Sequence, residues 1–327
     1  MALTKVLLVG ATGETGGSIA KGLLESGNFE VFALTRPASA SKPQLLELQK
    51  WGLKVRQCDL NAPQEELVEA LSGIDVVVCS VGPPDQRTQI PLANAAKIAG
   101  VKRFVPCGFI TVAPPGGIMW LRDEKEAVYN HIKQLWLPYT IIDVGWWYQI
   151  SYPRLASGKI DYAMTMANDE IIGDGTTPSA ITDLRDIGRY VARIIADPRT
   201  VNKMVFAYNT VMTPHEIYSM LEKLSGEKIE RKYVSEATVQ QRVQEARQSS
   251  ETYPFDPTKF IPRYAAEYQL SRGIRGDNRP EYAKYLGYLD AKELYPDFKP
   301  ILFEDYLKEL LGGTATGIYT DRIRRIY

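Results

Sequence analysis

Gly10, Gly13 and Gly16 stand three apart in Val-Gly-Ala-Thr-Gly-Glu-Thr-Gly, directly after the apolar run Val6–Val9. Glycines at this spacing allow a tight turn, a close approach of backbone to pyrophosphate, and close packing of a following helix on the strand. That helix would point its free N-terminal amides at phosphate oxygens. A glycine triplet alone is weak evidence. Here it follows a strand signal and opens a helix signal, the context that makes it a dinucleotide-binding loop. Gly10, Thr12, Gly13, Glu14, Thr15 and Gly16 are therefore expected to contact the cofactor.

The end of the second strand selects the cofactor. A site for NAD wants a carboxylate there, about 20 residues past the glycines, for the ribose hydroxyls. This sequence reads Ala33-Leu-Thr-Arg36-Pro. A guanidinium suits a phosphate dianion, so Arg36 is expected on the 2′-phosphate of NADP(H). Lys42 adds a second charge nearby, and an ordinary surface cation is the alternative for each. Ser80, Val81 and Gly82 after the fourth strand, and Cys107 after the fifth, fall where further cofactor contacts belong.

Composition excludes several partners. Lys and Arg total 39, as do Asp and Glu, so net charge gives no reason to expect a nucleic acid. The 327 residues, 45% of them hydrophobic, describe an ordinary globular chain of more than one mode-sized domain. Cys58, Cys79 and Cys107 are an odd, widely spaced set, and with only two histidines neither a disulfide framework nor a metal site is expected. No apolar run nears the ~18 residues of a membrane span, and Met1 leads straight into a strand without a signal-peptide pattern. A cytoplasmic setting is expected, with a small molecule as partner; oligomeric state is not legible.

Behind these residues lies a regular alternation. Val6–Val9, Val31–Leu34, Val55–Cys58, Val76–Val81, Phe104–Cys107 and Tyr139–Val144 have the length and β-branched content of buried parallel strands. Helical spacing between them makes an α/β fold: a Rossmann doubly wound parallel sheet with a smaller, discontinuous substrate-binding α/β lobe. The division expected is 1–145 plus about 181–212 for the NADP-binding domain, and 146–180 plus 213–327 for the lobe. Thr182 or Asp183 should cap a helix through Ile195, stopped by Pro198. Thr213-Pro-His-Glu216 has the form of a capping box. From 252 to 299 the aromatic residues, Phe255 included, stand among Pro, Gly and charges, which reads as a mostly irregular segment. Either a satellite core or a pocket wall for a flat ligand would use it. The terminal Asp-Arg-Ile-Arg-Arg-Ile-Tyr reads as a solvated tail or an interface element.

GATGETGG at 10–17, Arg36, VKRFVPCGF at 101–109 and DEKEAVYNHIKQLWLPYTIIDVGWW at 123–147 resemble the atypical short-chain dehydrogenase/reductase superfamily, in its NmrA-like and isoflavone reductase-like branch. The resemblance spans roughly residues 4–230. It implies NADPH-dependent reduction of an aromatic or unsaturated small molecule. Typical members use Tyr-x-x-x-Lys, and Tyr129 and Lys133 match that string. In extended members, however, the lysine lies about fifteen residues before the threonine of the Pro-Tyr-Thr strand. Counting from Thr140 gives Lys125, with Leu121 at the tyrosine position. Tyr129 and Lys133 fall eight residues further along, about 12 Å of helix. By resemblance Lys125 is the catalytic residue, holding the nicotinamide ribose or acting as general acid. Phe109, Trp146, Trp147 and Tyr148 would shape the substrate pocket; His131 and His215 have surface and helix-start positions. The expected function is an NADPH-dependent reductase in specialised metabolism. A redox-sensing NADP(H) binder without turnover, or a non-reductive isomerase or cyclase on the same scaffold, is the alternative.

Overall fold

A computed structural model describes residues 3–165, 168–253 and 256–319. Phe255 and the terminal 321–327 segment lie outside the described residues. Thirteen strands run through the described chain: β1 Thr4–Val9, β2 Phe29–Thr35, β3 Lys54–Gln57, β4 Val76–Cys79, β5 Arg103–Val105, β6 Thr140–Asp143, β7 Trp146–Trp147, β8 Glu170–Ile172, β9 Ser179–Thr182, β10 Lys203–Phe206, β11 Thr210–Met212, β12 Lys232–Val234 and β13 Tyr288–Asp290. The α-helices are α1 Glu14–Ser26, α2 Pro43–Lys50, α3 Gln64–Ala70, α4 Gln89–Ile98, α5 Trp120–Gln134, α6 Leu184–Ala196, α7 Pro214–Ser225, α8 Glu236–Thr252, α9 Pro257–Tyr268, α10 Pro280–Tyr285, α11 Ala291–Leu294 and α12 Phe303–Leu311.

The first five strands form a parallel sheet in the order β3-β2-β1-β4-β5. A parallel bridge between Phe104 and Tyr139 joins β5 to the chain entering β6, and β6, β10 and β13 continue in parallel beyond it. The order reverses between β1 and β4, which opens a crevice at the carboxyl ends of those strands. Both faces are covered, so β4 is buried at every position.

Helix α6 returns to the sheet layer and crosses α1 closely. A Cβ on Gly22 would lie 2.2 Å from the Gly188 carbonyl carbon, and one on Gly188 would lie 1.9 Å from the Ser18 oxygen. Two glycines therefore set this crossing. Asp183 caps α6 by accepting from the Arg185 amide, and the Thr213–Glu216 capping box opens α7. The smaller lobe has its own sheet, β11-β9-β7, and a β12-β8 pair. Its core packs Tyr148, Tyr152, Ile181 and Met212 against Phe303, Tyr306 and Leu310.

The segment expected to be irregular is helical. After α8, residues 257–268 form α9, and the π-helical stretch Gln269–Arg275 follows. Pro262 lies inside α9 and hides its period from a sequence reading. Further on, Tyr288–Asp290 pairs with β10, so the chain comes back to the main sheet from within the 213–327 segment. No helix among the described residues is long and apolar enough to cross a membrane.

Candidate active site

The glycine loop lies between β1 and α1. Gly10 has φ +82°, and a Cβ there would meet the Ser80 oxygen at 2.0 Å. A Cβ on Gly16 would meet the Gly10 oxygen at 2.0 Å. The fold itself demands these two glycines. Gly13 differs, because a Cβ there would meet only the Gly10 oxygen at 3.4 Å. Gly13 is also the N-cap of α1 and supplies no side-chain cap. The first amides of a helix have no intrahelical acceptor, so the head of α1 has donors to offer a phosphate. These features fit a dinucleotide. Arg36 is exposed where β2 ends, and Lys42 is exposed at the start of α2.

Lys125 projects from α5 into buried space at the carboxyl edge of the sheet. It is 2% exposed, and its Nζ donates to the Cys107 carbonyl at 2.6 Å and to Gln86 Oε1 at 3.1 Å. The Cys107 sulfur is 3.6 Å away. Burial pulls the ammonium pKa below the usual lysine value. The acceptors are held in turn: Gln86 Nε2 donates to the Gly82 carbonyl, Gln89 Nε2 to the Gln86 carbonyl, and the Cys107 amide to Gln89 Oε1. Arg87 grips Glu124 at 2.6 and 2.8 Å, which fixes α5 against the loop after β4. Ser80, Val81, Gly82, Cys107 and Lys125 thus meet at one edge, beside the Gly10 turn.

The literal Tyr-x-x-x-Lys string does not form a pair. Tyr129 is 1% exposed and its hydroxyl has no hydrogen-bond partner among the described residues. Lys133 is exposed and lies over the Tyr139 ring. Tyr129 instead borders a buried ionic group. Arg122 meets Asp143 at 2.6 Å and donates to the Thr111 carbonyl, while the Tyr288 hydroxyl donates to the same Asp143 oxygen. Burial opposes the Arg122 charge, and Asp143 more than restores it.

The aromatic wall departs from expectation at two places. Tyr148 is fully buried between Phe303 and Tyr306 and donates to the Ile301 carbonyl, so it is core of the smaller lobe rather than pocket. Phe109, at φ +56°, is 3% exposed and packs in the main core. The two tryptophans are half-buried. Trp147 stacks on Tyr319 at 6.2 Å, and Trp146 meets the edge of Tyr268 at 5.1 Å. The Tyr319 amide donates to Glu14 at 2.8 Å, so the 315–319 segment lies against the head of α1.

The sequence matches the profile of the NmrA-like family over residues 3–307. The chain belongs to the NmrA-like family. It is 48% identical to the asnovolin J 5′,6′-dehydrogenase of Aspergillus novofumigatus, over 96% of this chain and 98% of that one. Among solved structures it superposes on an isoflavone reductase with TM-score 0.75, at 26% identity over 94% of this chain and 99% of the other. The leucoanthocyanidin reductase of Vitis vinifera shares the fold, with TM-score 0.79 at 24% identity over 94% and 99% of the two chains.

Within this NmrA-like chain, sequence reasoning missed Gln86 and Gln89, the two amides that hold Lys125 and Cys107. Their three-residue spacing after Gly82 was the available signal. It also missed Tyr319, which only the tertiary fold brings near, whereas Tyr268 belongs to the aromatic segment read as a satellite core or pocket wall and meets Trp146. His131 bonds Asn94, and His215 at the start of α7 bonds Tyr233.

Proposed function

We propose that this protein is an NADP(H)-dependent oxidoreductase that moves hydride between nicotinamide and a carbon of a flat, ring-bearing small molecule. Membership of the NmrA-like family supports the class, and its relatives include both a named dehydrogenase and a named isoflavone reductase. The observation that carries the reading is Lys125: one buried ammonium, held by Cys107 and Gln86, at the sheet edge beside the glycine loop. Gly10, Thr12, Gly13, Glu14, Thr15 and Gly16 would take the pyrophosphate, Arg36 and Lys42 the 2′-phosphate, and Ser80, Val81, Gly82 and Cys107 the inner part of the cofactor. The nicotinamide, when bound, supplies or accepts the hydride. Lys125 would hold the ribose or stabilise the oxygen charge that develops on substrate. Trp146 and Trp147 would bound the substrate pocket. Residues 1–145 with 181–212 would carry the cofactor and the rest the substrate, in a cytoplasmic setting.

The 48% identical relative is named a dehydrogenase, which favours a second reading in which the favoured direction is oxidation with NADP+. One experiment covers both. Purified protein is mixed with NADPH and a panel of enones and quinones, and separately with NADP+ and their saturated counterparts, and cofactor absorbance is followed. Turnover in either direction is the expected result. Tight NADPH binding with no turnover across the panel would move the protein to the non-catalytic binders.

A further inference from the structure

At the amino ends of the parallel strands, opposite Lys125 and the glycine loop, helices hand the chain back to the main sheet. Each strand entered there after β1 is preceded by a residue in the left-handed region. Gly27, Gly52, Gly73, Gly100, Asn202 and Gly287 serve β2, β3, β4, β5, β10 and β13. The turn into β6 is the exception. Trp136 holds that position, at φ +53°, where a bulky side chain is disfavoured and glycine or asparagine is the usual residue. Its side chain is not recovered by packing, because Trp136 is 86% exposed. A large aromatic ring is displayed where the turn itself asks for none.

The surroundings of Trp136 are apolar and cationic. Ile98 and Tyr285, the last residues of α4 and α10, are exposed on turns of the same edge. Lys97 donates to the Trp136 carbonyl at 3.2 Å, Lys133 lies over the Tyr139 ring, and Lys203 stands in register beside Thr140. These three lysines are exposed, and none is in an ion pair among the described residues. The carboxylates of this edge are already engaged: Asp75 by Lys102, Asp197 by Arg199 and Glu293 by Lys284. The edge therefore presents separate apolar groups within surplus positive charge.

We propose that this edge docks on an anionic membrane surface, with Trp136, Ile98 and Tyr285 among the lipid headgroups and Lys97, Lys133 and Lys203 against their negative charge. Tryptophan and tyrosine favour the boundary between headgroup and acyl chain, and lysines are drawn to acidic lipids. Rings on separate turns suit a fluid headgroup layer, which needs no complementary shape. A second copy of this chain fits poorly, because a two-fold contact would set these lysines against their own counterparts. Lysine is also depleted at protein–protein interfaces. Attachment is to the surface, since no helix among the described residues is long and apolar enough to cross a membrane. With the amino edge on the bilayer, the crevice beside Lys125 opens toward the water.

The test uses the full chain, sedimented with vesicles of phosphatidylcholine alone or of an equimolar mixture with phosphatidylserine. Wild type should bind the mixed vesicles, stay off the neutral ones, and be released as salt is raised. Trp136→Gly places the preferred residue at the left-handed position. It should keep or raise the thermal midpoint while weakening vesicle binding at least about tenfold. Lys133→Gln and Lys203→Gln should each weaken binding about fivefold. Equal binding to both vesicles, binding to neither, or a Trp136→Gly variant that binds as wild type overturns the proposal. So does a Trp136→Gly variant whose thermal midpoint falls together with binding, because that assigns the ring to folding. A wild-type chain that ignores vesicles but doubles in mass by light scattering, while Trp136→Gly stays single, would give the face to a second copy instead.

Discussion

Lys125 is held as a buried ammonium by two oxygen acceptors, and burial favours its neutral form. Its pKa is lowered, so the charged fraction declines at a lower pH than for a free lysine. If the ammonium assists the reaction, kcat should fall as pH rises through that lowered pKa. Lys125→Met should remove this alkaline limb and cut turnover by about 10²–10⁴, the range of a lost general acid, with NADPH affinity largely kept. Lys133→Met, on the exposed face of the same helix, should be near neutral. Steady-state pH profiles of both variants check this, and normal turnover by Lys125→Met would remove lysine from the mechanism. Arg36→Ala should weaken NADPH by about 1.5–3 kcal/mol, the scale of a charged hydrogen bond, and leave NADH binding unchanged. Equal losses would detach Arg36 from the 2′-phosphate. The glycines divide further. The apo fold leaves room at Gly13 but none at Gly16. Gly13→Val should keep a folded protein that NADPH no longer stabilises, whereas Gly16→Ala should lower the thermal midpoint even without cofactor. The glycine loop was legible because a strand end and a helix start are local features, while Lys125 was singled out by the family resemblance through its distance from Thr140. Gln86, Gln89 and Tyr319 were not legible, because their roles depend on which distant groups meet them.

At the scale of elements, the alternation of strands and helices was readable because buried parallel strands are short apolar runs. Their ends were off by a residue or two, as at Cys58 and Cys107, where a buried cysteine continues the apolar pattern past the last strand residue. The α8–α9 hairpin escaped for a different reason. Helix α8 is polar over most of its length, burying Val239, Val243, Ala246 and Ser250, and α9 contains Pro262. Glu267, buried with Arg247 and Arg263, accepts the Trp120 amide and so fixes this hairpin to the start of α5. Helices α1 and α6 cross closely at Gly22 and Gly188. Gly22→Ala should force the two backbones apart and destabilise the protein by about 1–3 kcal/mol, the usual cost of overpacking. Gly17→Ala, on the same helix with only the Ala11 oxygen at 3.7 Å from its Cβ, should be neutral or stabilising. Urea midpoints of the two variants decide, and equal destabilisation would mean that helix propensity, not the crossing, governs α1.

Across the whole molecule, the main sheet draws on distant parts of the chain, since β10 and β13 extend it beyond β6. The 315–319 segment closes the circuit. Ile318 is buried in the main core, its carbonyl accepts from Thr165, and Tyr319 reaches both Trp147 and Glu14. Tyr319→Ala removes the ring but keeps the amide that bonds Glu14. NADPH should then dissociate about two- to tenfold faster, the equivalent of one aromatic pair, while the association rate changes little. Stopped-flow displacement measures this, and an unchanged off-rate would mean that the segment does not retain cofactor. The Glu14–Tyr319 contact joins residues 305 positions apart in the chain. During translation the glycine loop leaves the ribosome hundreds of residues ahead of Tyr319. Until Tyr319 emerges, the head of α1 stays uncovered by the segment that later lies against it.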